Sequence, residues 1–212
     1  RRHTRYPLVT GVQTCALPIY IKYHKEMNLI RRIHGVGQVA TTYHLSKAIH
    51  EDAPDYIIQV GIAGALSSDL NIGDVVVVST DAMADLGVME NGTFKSIAAL
   101  NLQNENEPDM VALQNPHHLL IDKTSIKKVN AITVNEISTS IERIHFYTNT
   151  YKASIESMEG AAFHYTCLME KIPFVQLRSI SNYVGDRNKK NWNIELALKS
   201  IAEATQTFLD KF

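Results

Sequence analysis

Cysteine is nearly absent from this chain: only Cys15 and Cys167 occur in 212 residues. Two cysteines so far apart make neither a metal-ligand spacing nor a disulfide framework, and a reducing, cytoplasmic compartment is the expectation. Long apolar runs are missing as well; the longest are strand-sized, too short for a membrane-spanning helix. Charge of one sign is missing too. With 21 basic and 22 acidic side chains and a net charge of -1, the chain carries no electrostatic footprint for nucleic acid or an anionic membrane. Basic residues cluster only at Arg31-Arg32 and Lys189-Lys190. There is no Ser-His-Asp order, no helical two-histidine metal motif, no internal repeat and no linker. His117-His118 is an adjacent pair whose side chains would point apart on a strand, and it reads as a surface-loop feature.

What remains is the composition of one ordinary globular domain, 45% hydrophobic and 20% charged. Residues 1–19 read differently from the rest. Residues 9–19 match the in-frame translation of a widely used sequencing-library adapter, with Arg1-Arg2-His3-Thr4-Arg5 at its upstream end. A basic targeting peptide is the alternative. Pro7, Gly11, Gln13 and Pro18 leave it neither a secretory apolar core nor an amphipathic helix. Setting this segment aside removes Cys15 and three arginines. A single domain is then expected over 20–212, lacking its own N-terminal strand.

From Tyr20 onward, strands and helices alternate. A strand over 28–33 enters Gly35-Val36-Gly37, and a helix follows over 38–50 with Val39, Tyr43, Leu45 and Ile49 as its apolar stripe. A buried-type strand over 56–60 runs into the small-residue stretch 61–65, and 75–79 is a β-branched central strand. Residues 90–116, rich in Asn, Glu, Asp and Pro, read as mostly loop with one short helix. Short strands are expected over 131–134 and 154–157, a helix over 159–171 and a strand over 173–180. A long amphipathic helix over 193–212 would turn Leu196, Ile201, Ala204 and Phe208 inward. Apolar strands alternating with helices predict a sheet covered on both faces, a three-layer α/β/α sandwich.

Ligands of open α/β sheets bind beyond the carboxyl ends of strands. Three loops are expected at such ends: 61–65, 157–160 and 179–186. Glu159 opens a helix directly after a strand, where a carboxylate is favoured by the helix dipole, either as a cap or as a site residue. Arg178 belongs to an apolar strand and must be paired to be tolerated there; Glu159 is the candidate partner. Asn182 follows that strand, as a site residue or a turn residue. Gly61-Ile62-Ala63-Gly64 either lets a ligand approach the backbone or packs a helix near the sheet. Gly35-Val36-Gly37 lacks the third glycine of a dinucleotide fingerprint and reads as a tight turn.

Together, the stretches 60–66, 72–76, 157–162 and 173–182 resemble the nucleoside phosphorylase/nucleosidase superfamily, and within it the hydrolases of methylthioadenosine and related nucleosides. The resemblance runs from about Gly35 to the C-terminus. It implies a mixed central sheet of the nucleoside phosphorylase kind, a small purine nucleoside as ligand, no cofactor and no metal. It also implies a homodimer or larger assembly. By motif position, it implies that Glu159 hydrogen-bonds the ribose hydroxyls, that Met158 packs against the sugar and that Arg178 helps to hold the attacking water. Ile62 stands where relatives carry a serine near the nucleophile, and Gly64 and Ser181 fall among the substrate-binding positions. Residues 134–140 supply part of the base pocket. The water-activating glutamate of the family, near the end of its first strand, has no counterpart in this chain.

Asn182 stands where adenine-releasing members carry an aspartate that contacts purine N7. A protonated aspartic acid donates to N7 and accepts from a 6-amino group. An amide instead donates its NH2 to a 6-oxo oxygen and accepts from a protonated N7. The stretches 84–87, 133–136 and 178–187 likewise resemble a branch that releases hypoxanthine, a 6-oxopurine. An adenine-releasing nucleosidase, a phosphorylase and a non-catalytic purine-binding module are the alternatives. Asn182 argues against the first, the lack of an Arg/Ser phosphate cluster against the second, and the joint presence of Glu159 and Arg178 against the third.

Overall fold

Two ten-residue strands, β3 (Tyr56–Ala65) and β10 (Phe174–Tyr183), run parallel and in register through the middle of the molecule. The structure, a computed structural model, describes residues 18–22, 29–117, 121–122 and 125–210. Residues 1–17, Asn28, His118 and the last two positions of the expected C-terminal helix lie outside the described residues. Around the two long strands stand β1 (Pro18–Lys22), β2 (Leu29–Ile33), β4 (Val75–Asp81), β7 (Leu113–Gln114), β8 (Lys127–Thr133) and β9 (Ile155–Ser157). The strand β1 takes in Pro18 and Ile19, the last two residues of the segment set aside above. A separate hairpin is formed by β5 (Gly87–Glu90) and β6 (Thr93–Ser96). The helices are α1 (Gln38–Asp52), α2 (Ile141–Thr150), α3 (Gly160–Met169) and α4 (Ile194–Leu209).

The sheet is mixed, as the resemblance implies, and it returns on itself. β10 pairs in parallel with β3 and antiparallel with β4, β4 and β9 each pair in parallel with β8, and β9 meets β3 antiparallel. The β1–β2 pair extends this closed set from the first half of β3. Period-two alternation then sorts the layers. Ile57 and its register partner Phe174 face α1 and α3, where they pack with Leu45, Phe163 and Cys167. Ile58 and Val175 face the opposite way, onto Ile201 and Phe208 of α4. Helices therefore cover both faces.

Several local expectations are corrected. The stretch 61–65 is not a loop but the second half of β3, and Ser179 to Tyr183 likewise belong to β10. Small residues persist inside these strands because neighbouring side chains cross directly over them. Residues 90–116 contain β6 and β7 and, throughout, no helix. The buried stripe of α1 is Thr41, Leu45, Ala48 and Ile49, whereas Val39 is 86% and Tyr43 63% exposed. In α4 the inward positions are Ala197, Ile201, Thr205 and Phe208, with Leu196 half-exposed. Both helices contain enough apolar residues to draw the stripe one position out of phase. His117 is half-buried, with its ring edge-on to Phe174, rather than a free surface feature. The helix α2, begun by Ser140 whose hydroxyl accepts from the Arg143 amide at 3.3 Å, was not foreseen.

Candidate functional site

The register of β3 against β10 places Gln59 beside Gln176 and Gly61 beside Arg178, all on the face turned toward α1 and α3. Arg178 is 2% exposed and lies across Gly61. Its Nη1 donates to Glu159 Oε2 at 3.4 Å and to the Ile62 carbonyl at 3.3 Å, and its Nη2 donates to Gln59 Oε1 at 2.9 Å. The pairing demanded of a charge in an apolar strand is met by the expected residue. Gln59 Nε2 in turn donates to His34 Nε2 at 3.4 Å, which leaves the imidazole proton on Nδ1, 2.9 Å from Thr41 Oγ1. Burial, and then the Arg178 charge, push the His34 pKa down to about 4, so this ring is neutral.

Glu159 occupies the N-cap position of α3, but its carboxylate does not cap that helix. The first amides of α3 go elsewhere: Gly160 donates to Ser157 Oγ at 3.2 Å and Ala161 to Thr133 Oγ1 at 2.7 Å. The carboxylate is thereby free to meet Arg178 on one oxygen and the Gly37 amide on the other, at 3.2 Å. Gly37 adopts φ of 85°, a backbone state that suits glycine, and this turns its N–H toward the carboxylate. Under the start of α3 lies Asp81, fully buried. Thr133 Oγ1 donates to its Oδ1 at 3.0 Å, Gln176 Nε2 to its Oδ2 at 3.3 Å, and the Ala82 amide to Oδ1 at 2.8 Å. Burial raises its pKa to about 6 despite these donors.

Above this buried layer opens a cleft of about 670 Å3, mouth included. Ile62, Gly64, Met158, Glu159, Ser181 and Asn182 all line it. Of the seven site residues expected individually from the sequence, Arg178 alone is absent from the wall; it stands behind Glu159. The segment 134–140 contributes Ile137. Asn182 is half-buried, with its Oδ1 accepting from Ser181 Oγ at 2.8 Å and its Nδ2 donating to the Tyr183 carbonyl at 3.1 Å. Sequence reasoning missed Gly37, His34, Gln59, Glu156 and Trp192. Gln59 carries the same signal as Arg178, a polar side chain in an apolar strand. Glu156 and Trp192, which also line the cleft, carry none.

The arrangement offers a charged oxygen pair, an amide and apolar walls to one small ligand. Comparison with known proteins is consistent with that geometry. The phosphorylase superfamily pattern matches residues 5–212. The chain is 28% identical over 176 residues to a futalosine hydrolase of Thermus thermophilus, spanning 82% of this chain and 78% of the relative. It is 24% identical over 185 residues to a 5'-methylthioadenosine/S-adenosylhomocysteine nucleosidase of Bacillus pumilus, spanning 86% and 79%. Among solved structures, a Helicobacter pylori 5'-methylthioadenosine/S-adenosylhomocysteine nucleosidase superposes with a TM-score of 0.75 at 20% identity, over 92% of this chain and 85% of that one. A native futalosine hydrolase of the same species superposes with a TM-score of 0.74, at the same identity and coverage. These superpositions establish the fold.

Proposed function

The chain belongs to the phosphorylase superfamily, and from that premise we propose that it hydrolyses the N-glycosidic bond of futalosine. The products are hypoxanthine and dehypoxanthine futalosine, and the reaction belongs to menaquinone biosynthesis. In this reaction the bond between C1′ and the purine nitrogen breaks, the oxygen of water joins C1′, and a water proton ends on the departing base. Positive charge builds on the sugar and negative charge on the purine as the bond stretches.

Glu159 meets the first demand. Its carboxylate, fixed by Gly37 and Arg178, accepts from the ribose hydroxyls and stabilises the developing cation, with Met158 against the sugar. Arg178 acts through Glu159, as a positioning residue, since its guanidinium is buried behind the carboxylate. Ile62 gives the nucleophile side an apolar wall, and Gly64 lets the base approach the strand backbone.

The observation that carries the choice of base is the tether on Asn182. Because the Tyr183 carbonyl can only accept, the amide is held with its NH2 on that side and its Oδ1 toward the Ser181 hydroxyl, and the second N–H of the NH2 matches a 6-oxo oxygen. The remaining lone pair of Oδ1 suits a protonated N7. An amide supplies no proton, so the base draws its proton from solvent. The comparable similarity to a 5'-methylthioadenosine/S-adenosylhomocysteine nucleosidase, 24% identical against 28% for the futalosine hydrolase, supports adenine release as the second reading. Side-by-side assay of hypoxanthine release from futalosine and adenine release from methylthioadenosine tests the choice. Faster adenine release would overturn it. Sedimentation of the purified protein is expected to show a homodimer or larger.

A further inference from the structure

Three neighbouring parallel strands end on polar residues beneath the head of α3: β4 on Asp81, β8 on Thr133 and β9 on Ser157. All three are buried. Thr133 and Ser157 are register partners, with their hydroxyl oxygens 3.5 Å apart. The helix head sits close upon this row. A Cβ at Gly160 would overlap Asp81 Oδ2 and Gln176 Nε2, so only a glycine lets α3 begin here.

The direction of the hydrogens follows from the chemistry of the groups. Asp81 gathers the Ala82 amide, the Gln176 NH2 and the Thr133 hydroxyl. Its pKa is near 6, so above that pH it is a carboxylate and can only accept. Thr133 therefore gives its one hydrogen to Asp81, at 3.0 Å, and keeps its lone pairs for others. One takes the Ala161 N–H at 2.7 Å, and the other faces the Ser157 hydroxyl. Ser157 Oγ in turn takes the Gly160 N–H at 3.2 Å. Every hydrogen in the row thus points away from the helix and toward Asp81. A helix start is ordinarily served by the side chain at its own N-cap, which accepts from the second or third amide. Glu159 holds that position and does not do so.

We propose that Thr133, oriented by Asp81, is a positioning residue for Glu159. By satisfying the head of α3 from the strands below, Thr133 and Ser157 keep the carboxylate from folding back as the cap of its own helix. It stays with Gly37 and Arg178, on the cleft wall. The proposal rests on reading Glu159 as the carboxylate that holds the sugar, and it names what holds Glu159.

The test follows base release from futalosine and from methylthioadenosine. Thr133→Val keeps the shape of the side chain but removes the acceptor, and Glu159 is placed to replace it. Turnover should fall about ten- to a hundredfold, the cost of a displaced reacting group. Thr133→Ser returns the hydroxyl and should restore most of it. In a Glu159→Gln background, Thr133→Val should cost less than about threefold more, because the residue it acts through is already disabled. Binding of the released free base, which carries no sugar, should stay within about twofold in titration calorimetry. Ser157→Ala should show the same dependence on Glu159, and serves if Thr133→Val is too unstable to purify. An unchanged turnover, or an equal loss with and without Glu159→Gln, would overturn the proposal and leave the nucleosidase reading standing. Loss of base binding together with turnover would also overturn it, making Thr133 a residue of the fold alone. If the unmodified protein releases neither base, the site reading fails and the proposal with it.

Discussion

Arg178 lies across its register partner Gly61 so closely that a Cβ at position 61 would overlap Nη1 and approach Cζ to 2.9 Å. The glycine is there for space alone. That space lets a guanidinium reach from one strand over the next to the Glu159 carboxylate.

Gly61→Ala should therefore displace the guanidinium and leave two buried charges ill-paired. The expected loss of stability is about 3–5 kcal/mol, the cost of breaking a buried pair. Urea unfolding measures it. A loss below roughly 1 kcal/mol would mean that Arg178 finds another route to its partner.

Glu159→Gln keeps the shape of the side chain and removes the charge proposed to stabilise the developing sugar cation. Turnover should fall by about a hundredfold or more, with stability also reduced because Arg178 is left unpaired. The double variant Glu159→Gln/Arg178→Met should recover stability but not turnover. Parallel unfolding and rate measurements on the four proteins check this, and recovery of turnover in the double variant would contradict the role given to Glu159.

Asn182→Asp exchanges the amide proposed to donate toward a 6-oxo group for a carboxyl suited to a 6-amino group. The ratio of hypoxanthine to adenine release should shift toward adenine by at least about tenfold. Product analysis on paired substrates reads this ratio directly, and an unchanged ratio would move the choice of base elsewhere.

Acid should weaken the fold through its buried histidines. Burial pushes His164, like His34, down to about 4 from the ordinary 6.5. The unfolded chain takes up these protons first, so the stabilisation is present above pH 6.5 and is lost as pH falls toward 4. Asp81 and Glu156, raised by burial, have the opposite slope. His164→Gln isolates the histidine contribution. Its stability relative to the parent should improve by roughly 3 kcal/mol between pH 7 and pH 4. A difference independent of pH would show that this ring is not held neutral.

Much of the site was legible because its chemistry is local. A charge in an apolar strand must find a partner, and a carboxylate at the head of a helix after a strand was the obvious one; Arg178 and Glu159 meet as that logic requires. The order of strands and helices was legible for the same reason, since hydrophobic period reports burial residue by residue. The phase of α1 and α4 was less so. With apolar residues on more than one flank, only the neighbouring layer decides which stripe is covered, and Val39 and Tyr43 were left outside.

Residue types and their local spacing showed which groups could not be left unpartnered: Arg178, Glu159 and the apolar strands that surround them. Tertiary structure decided what they meet. The register of β3 against β10 put a glycine under the guanidinium, and the φ of Gly37 turned an amide from 122 residues away onto Glu159. These are relations between positions far apart in the chain. Their selection rests on strand register and close approach, which no residue type or local spacing encodes.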